Sequence, residues 1–363
     1  MKKCDVLIVG AGFAGMTLAE RLSNELGKHC LVVEKRKHLG GNAHDYKDTA
    51  GVLVHAFGPH LFHTNSDRIV SYLSQFTEWL PVEYRAKSYT HGKFWSFPIS
   101  LYTFEQMRGR PSDSEEMEAY LEKRRVSIAH PSNSEEMVVS QVGWELYNKF
   151  YKNYVLKQWK RPASQLDAAV CARIPIRTTH NDLLYDDKHQ MMPQQGYTAM
   201  IQHMVNPKLE ILLGADYREV QVEAKHTVYT GPIDEYFGYA HGSLPYRSLR
   251  FEHETFEEEL HQPAAVIAYP NSEVYTRSFE AKHITGQKCR YTTVVRDYPQ
   301  DQGDQLYPIP APDAAKAYGK YKEMAEGLPR VSFVGRLARY QYINIDQAVG
   351  MALAEFERLR KIL

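Results

Sequence analysis

Cysteine is scarce, and the four present (Cys4, Cys30, Cys171 and Cys289) are scattered without a C-x-x-C pair. That pattern argues against a disulfide framework or a zinc site and makes a reducing cytoplasm the expected location. An excess of charge is also lacking, because 44 Lys plus Arg stand against 44 Asp plus Glu. With no global field drawing the chain to nucleic acid or to an anionic membrane, any anionic ligand must be met by local arginines. No apolar run approaches the length of a membrane span, and no repeat or low-complexity tract is visible. The opening MKKCDVLIVGAGFAG imitates a signal peptide, but Asp5 and the closely spaced glycines suit a phosphate loop better. At 363 residues and 43% hydrophobic content, two or three domains with substantial cores are expected.

What is present begins with VLIVGAGFAG at residues 6–15, a short apolar run ending in G-x-G-x-x-G spacing. A second apolar run, CLVVE, ends on Glu34. Strand, helix (MTLAERLSNEL), second strand and acid are in register for a dinucleotide-binding βαβ unit. Gly10 permits the tight turn, Gly12 lets the backbone approach a pyrophosphate, and Gly15 allows close helix–sheet packing. The helix N-terminus would face the phosphates, and Glu34 would accept from ribose hydroxyls. Tyrosine is abundant, 25 residues, many beside Arg or His. Such rings suit a site for bases and sugars, although amphipathic core positions account for most of them.

Along the chain, the segment 66–80 reads as helical, and so does 100–172. Ser112-x-x-Glu115 and Ser132-x-x-Glu135 are candidate capping boxes. From Val142 to Trp159 there are almost no breakers, and Tyr147, Tyr151 and Tyr154 form one helical stripe, in which Tyr147 and Phe150 are expected in the core. From about 208 the texture turns β-like: EILLG, HTVYTG, AAVIAYP and YTTVVRDYP. A last strand (VSFVG) and a periodic helix (IDQAVGMALAEFERLRKIL) suggest a return to complete the nucleotide domain.

Several stretches taken together resemble the flavin-dependent UDP-galactopyranose mutases: EKRKHLGGNAH (34–44), FGPHLFHTN (57–65), YKNYVLKQW (151–159), ARIPIRTTH (172–180), YTGPIDEYF (229–237), YRSLRFE (246–252), VYTRSFEAKHITGQ (274–287) and FVGRLARYQY (333–342). The resemblance implies an α/β fold with a Rossmann-like FAD-binding domain (1–80, 193–235 and 315–363). It further implies an inserted helical bundle (100–170) and an antiparallel β-sheet domain (81–99, 171–192 and 236–314). The reaction it implies interconverts UDP-galactopyranose and UDP-galactofuranose through a flavin N5–sugar adduct. No net electron is consumed, and an external reductant such as NAD(P)H activates the FAD.

The matching positions imply roles. Arg173 and Arg277 are the catalytic arginines that meet the leaving pyrophosphate, for which guanidinium forks suit better than lysine. His60 and His63, in PHLFH, are flavin-proximal, with His63 counted as catalytic and His60 touching both substrate and cofactor. Their H-x-x-H spacing evokes a metal pair, but no further ligand completes one, and no metal is expected. Tyr154 and Trp159 would contact base and sugar, and Tyr185, Tyr307, Tyr342 and Asn344 would line the substrate site. Gly10, Gly12, Phe13, Gly15, Glu34, Lys35, Gly41, Asn42 and Arg336 would hold FAD, with Gly40 in the same close approach. The resemblance also implies a nucleotide-sugar substrate, no nucleic acid, no membrane and a homodimer.

Several residues depart from the family pattern. Leu184 stands where a phosphate-contacting tyrosine is usual, one place before Tyr185. Ala268 replaces a common asparagine, Asn344 a common aspartate, and Lys160 and Pro162 the small residues expected after Trp159. These changes keep dTDP-fucopyranose and UDP-N-acetylgalactopyranose open as substrates. Two other classes share the N-terminal fingerprint: amine-oxidase-type oxidoreductases, and non-catalytic binding proteins of the Rab-escort kind.

Overall fold

The computed structural model describes residues 2–363. Its first layer is a five-stranded parallel sheet in the order Leu209–Leu213, Cys30–Glu34, Lys2–Val9, Val222–Tyr229 and Val331–Phe333. CLVVE is buried along its whole length, as a parallel strand covered on both faces must be. Side-chain alternation divides the core. Val6, Ile8 and Val32 face the cluster formed with helices Phe13–Glu25 and Ile345–Leu359, while Leu7, Val9, Leu31 and Val33 face the opposite cluster. The terminal strand thus joins the N-terminal sheet, and the terminal helix packs against the first helix.

The second layer is a seven-stranded sheet, antiparallel at every pairing except Val266–Ala268 with Ala86–Thr90. Those two strands come from opposite sides of the helical insertion, so no hairpin forces them antiparallel. The insertion comprises helices Leu101–Arg108, Ser114–Glu122, Ser134–Leu146, Lys152–Trp159 and the short Ala169–Ala172. Among the described residues no helix is long and apolar enough to cross a membrane.

Three local expectations need correction. The helix expected over 66–80 spans only Asp67–Leu73, and Trp79–Pro81 instead pairs with His189–Pro193, a distant partner that overrides local periodicity. The helix caps are Asp113 and Asn133, one residue after the expected serines; their side chains accept from the Glu116 and Glu136 N–H groups. Ser132 instead donates to the Glu136 carboxylate.

The tyrosine stripe is also interrupted. Gly143 breaks its helix at φ 75°, where a Cβ would lie 2.3 Å from the Arg124 carbonyl oxygen. Beyond it comes a π-turn over Tyr147–Tyr151. The extra residue in a π-turn rotates the succeeding side chains by about 100° around the helix axis. Tyr147, Phe150 and Tyr151 therefore stay in the core while Tyr154 is only half-buried.

Candidate active site

The glycine loop opens a cavity with about 1240 Å³ of empty space, lined among others by Gly10, Gly12, Phe13, Glu34, Lys35, Gly41, Asn42, His60 and Arg336. Gly15 is not in the lining. A Cβ there would lie 2.0 Å from the Gly10 carbonyl oxygen, so its smallness serves helix packing. Gly10 is fixed by the protein too, at φ 104°, with a Cβ 2.0 Å from Thr230 Oγ1. Gly12 differs: a Cβ there would meet no atom nearer than 3.7 Å. The protein's own packing does not require glycine at 12, and the spared space adjoins the cavity.

Gly12 is also the N-cap of helix Phe13–Glu25, without a capping side chain and without an acidic residue in the first turn. The free N–H groups there suit a phosphate. Glu34, buried at its strand end, accepts from the Ala11 N–H (2.8 Å) and the Arg36 N–H (2.9 Å). Each carboxylate oxygen keeps a lone pair for a ribose hydroxyl. Loop glycines, helix end and acid together fit an adenine dinucleotide.

A smaller cleft of about 670 Å³ shares His60, Arg336, Asn344 and Ile345 with that cavity. Arg173, Arg277, His63, Tyr185, Tyr307 and Tyr342 complete its polar lining. The chain brings them from six places: the end of helix Ala169–Ala172, strand Arg277–Glu280, the short strand Phe62–Thr64, the loop before strand His189–Pro193 for Tyr185, strand Tyr307–Pro308, and the turn before helix Ile345–Leu359.

Arg277 lies opposite Asp297 in the antiparallel register, and its Nε donates to the fully buried Asp297 carboxylate. Burial opposes the Arg277 charge, but Asp297, with Tyr307 and Tyr154, outweighs it and raises the guanidinium pKa. Among the described residues Arg173 has no such partner. Its Nη2 donates to Asn344 Oδ1 at 2.6 Å, and its guanidinium lies 4.7 Å from the Tyr342 ring centre. Among the described residues Arg336 donates only to the carbonyls of Ile343 (2.5 and 3.2 Å) and Leu306 (3.4 Å). Burial would raise the Tyr342 phenol pKa, but Arg173, Arg277 and Arg336 together bring it below its ordinary value.

His60 and His63 are held differently. His60 Nδ1 meets the Gly58 carbonyl at 3.0 Å, which puts the proton on Nδ1 and leaves Nε2 an acceptor. Burial, reinforced by Arg336, pushes its pKa down to about 3. Both ring nitrogens of His63 are engaged, by Asp187 (2.7 Å) and Asn344 (3.2 Å). Tyr185, whose phenol burial pushes up to about 12, stacks on His63 with ring centres 3.6 Å apart. Tyr185 thus presents a ring to the cleft although Leu184 holds the neighbouring place.

Trp159, expected at the ligand, lies one layer behind. It is 4% exposed and meets the rings of Tyr342 and Tyr307 edge-on at 5.2 and 6.3 Å. Tyr154 lies close enough to Arg277 to feel its charge, but is outside the cleft lining. From the same helix, Lys157 Nζ donates to the carbonyls of Tyr269, Glu273 and Tyr275, fixing the loop that leads to Arg277.

Sequence reading missed Asp297 and Asp187. Asp297 carried a signal only in falling within the strand-like run TTVVRDYP, whose first four residues are all buried. Asp187 carried none, as one of two adjacent aspartates in a polar loop.

A profile of the UDP-galactopyranose mutase family matches residues 149–342, and one of NAD(P)-binding Rossmann-like domains matches residues 8–76. A probable UDP-galactopyranose mutase of Klebsiella pneumoniae is 34% identical over 97% of this chain and 94% of its own length. A dTDP-fucopyranose mutase of Escherichia coli is 31% identical over 96% of each. A crystal structure of reduced UDP-galactopyranose mutase shares the fold at TM-score 0.81 and 14% identity, covering 100% of this chain and 95% of that one. With the cavity, the cleft and near full-length similarity in agreement, the chain belongs to the UDP-galactopyranose mutase family of flavin-dependent nucleotide-sugar mutases.

Proposed function

We propose that this chain interconverts UDP-galactopyranose and UDP-galactofuranose, with FAD in the larger cavity and the nucleotide sugar in the cleft, supplying furanose for surface polysaccharide. One observation carries the reading: among the described residues Arg173 and Arg336 hydrogen-bond only to neutral oxygens. Partly buried cations without a counter-ion are costly, and anionic ligands relieve that cost, the substrate diphosphate at Arg173 and the cofactor at Arg336. As the sugar–phosphate bond lengthens, negative charge gathers on the phosphate oxygens. Arg173 and Arg277, already in place, then interact more strongly than with the resting substrate. The phenols of Tyr185, Tyr307 and Tyr342 add donors without further full charge.

Gly10, Gly12, Phe13, Gly41 and Asn42 would line the cofactor's pyrophosphate, Glu34 its ribose, and Arg336 and His60 its ring. Bound and reduced by a donor such as NAD(P)H, FAD supplies the nucleophile for the anomeric carbon. A second reading, a 6-deoxyhexose such as dTDP-fucopyranose, is favoured by the aliphatic side chains of Leu61, Leu184, Val266 and Ile345 in the cleft. A methyl group at C6 gains more there than a hydroxyl does.

The test incubates dithionite-reduced holoenzyme with UDP-galactopyranose, UDP-galactofuranose, UDP-N-acetylgalactopyranose and dTDP-fucopyranose, followed by proton NMR. Ring interconversion of the UDP-galactose pair alone supports the first reading, and of dTDP-fucose alone the second. Stoichiometric consumption of oxygen with no ring interconversion overturns both. Homodimerisation through the helical layer and a cytoplasmic location belong to the same proposal, tested by sedimentation and by fractionation of the native host.

A further inference from the structure

His63, Asn344 and Arg173 form a chain of hydrogen bonds that starts outside the cleft lining, at Asp187. Asp187 Oδ2 stands 2.7 Å from His63 Nδ1, and its other oxygen accepts from Asn65 Nδ2 at 2.9 Å. An ionised carboxylate can only accept, so the proton belongs to Nδ1. Burial keeps the ring neutral by lowering its pKa against the pull of Asp187. His63 Nε2 is then an acceptor, and the Asn344 group 3.2 Å away must be the amide NH2. That orientation turns Asn344 Oδ1 toward Arg173 Nη2, at 2.6 Å. Each bond dictates the polarity of the next.

The supports are rigid on either side. Tyr185 stacks on the His63 ring with an interplanar angle of 11°. The Asn344 backbone N–H donates to Gln347 Oε1 at 2.9 Å, fixing the residue at the helix start. Arg173, at the end of a four-residue helix, has no carboxylate to hold it among the described residues. The groups whose charges act on His63 are Asp187, Asp346 and Arg173, with Tyr185 against its face.

We propose that Asp187 is a positioning residue: by placing the proton on His63 Nδ1 it orients the Asn344 amide, which holds the Arg173 guanidinium ready for the diphosphate. The inference rests on the anion-binding role given to Arg173 above. Asparagine rather than aspartate at 344 is what makes the relay work. A carboxylate at that position would demand a proton on His63 Nε2 and would neutralise Arg173 before the substrate arrives.

The test uses full-length, FAD-loaded protein carrying Asp187→Asn, Asn344→Asp or Arg173→Ala. For Asp187→Asn, KM for the nucleotide sugar should rise roughly tenfold, the scale of one hydrogen bond to a charged group. The rate constant kcat should fall by less, with the flavin spectrum unchanged. In 15N-histidine NMR, wild-type His63 should show the Nδ1–H tautomer and Asp187→Asn a tautomer mixture, while Asn344→Asp should raise the His63 pKa. A merely structural Asp187 would move none of these His63 signals in a folded variant. Unchanged KM and tautomer in Asp187→Asn, with Arg173→Ala impaired, overturn the relay and leave the diphosphate reading standing. An unimpaired Arg173→Ala overturns both.

Discussion

The two walls of the cleft hold their arginines in opposite ways. Arg277 sits on a strand inside a seven-stranded sheet, ion-paired to a fully buried carboxylate. Arg173 ends a short helix and is held by one neutral amide and the face of one ring. Strand register makes the first arrangement part of the protein's stability. The second contributes little to the fold and is free to serve a ligand.

That contrast can be broken by substitution. Arg277→Ala should have the largest effect, lowering turnover roughly 10²–10³-fold as loss of a charge-stabilising group does. It should also cost about 3–5 kcal/mol of stability, because Asp297 is left buried and unpaired. Chemical denaturation measures the second part, and an unchanged midpoint would show that the pair is not the sheet-side anchor. Arg173→Ala should lose turnover on a similar scale, roughly 10²-fold. Its stability should stay within about 0.5 kcal/mol of the parent. A large stability loss there would erase the distinction between the walls.

Smaller effects sharpen the picture. Gly143→Ala should cost about 1–3 kcal/mol by straining a positive φ, and its Cβ would meet the Arg124 carbonyl at 2.3 Å. A neutral result would mean the helical layer adjusts freely at that break.

A last signal, confined to acidic pH, belongs to His60, on the shared wall of cavity and cleft. Its pKa falls from 6.5 to about 3 on folding, so between those values the unfolded chain binds the extra proton. This contribution to stability is complete above pH 6.5 and is lost as pH falls toward 3. His60→Gln should flatten the pH dependence of unfolding in that window, and an equally steep curve would assign the dependence to other groups.

Much of the cavity was legible in the sequence because its parts are local. Gly10, Gly12, Gly15 and Glu34 lie within one βαβ unit, where 25 residues of chain fix strand, turn, helix and acid relative to one another. The cleft was legible only as matching stretches. Nothing near Arg173 in the chain announces Asn344, 171 positions away, and His63 and Asp187 are 124 apart. The reading of 66–80 as one helix failed for the same reason, because pairing with Met191–Pro193 outweighed local period.

By itself, the sequence determined the parallel nucleotide-binding core, the helical insertion and the β-rich second half, since local propensity and hydrophobic period act over a few residues. Only the tertiary structure decided which arginine is paired with a carboxylate, which histidine nitrogen carries the proton, and that Trp159 supports the cleft from behind. Those outcomes depend on distances between segments far apart in the chain, and hydrogen-bond polarity and ion pairing are settled only when such segments meet.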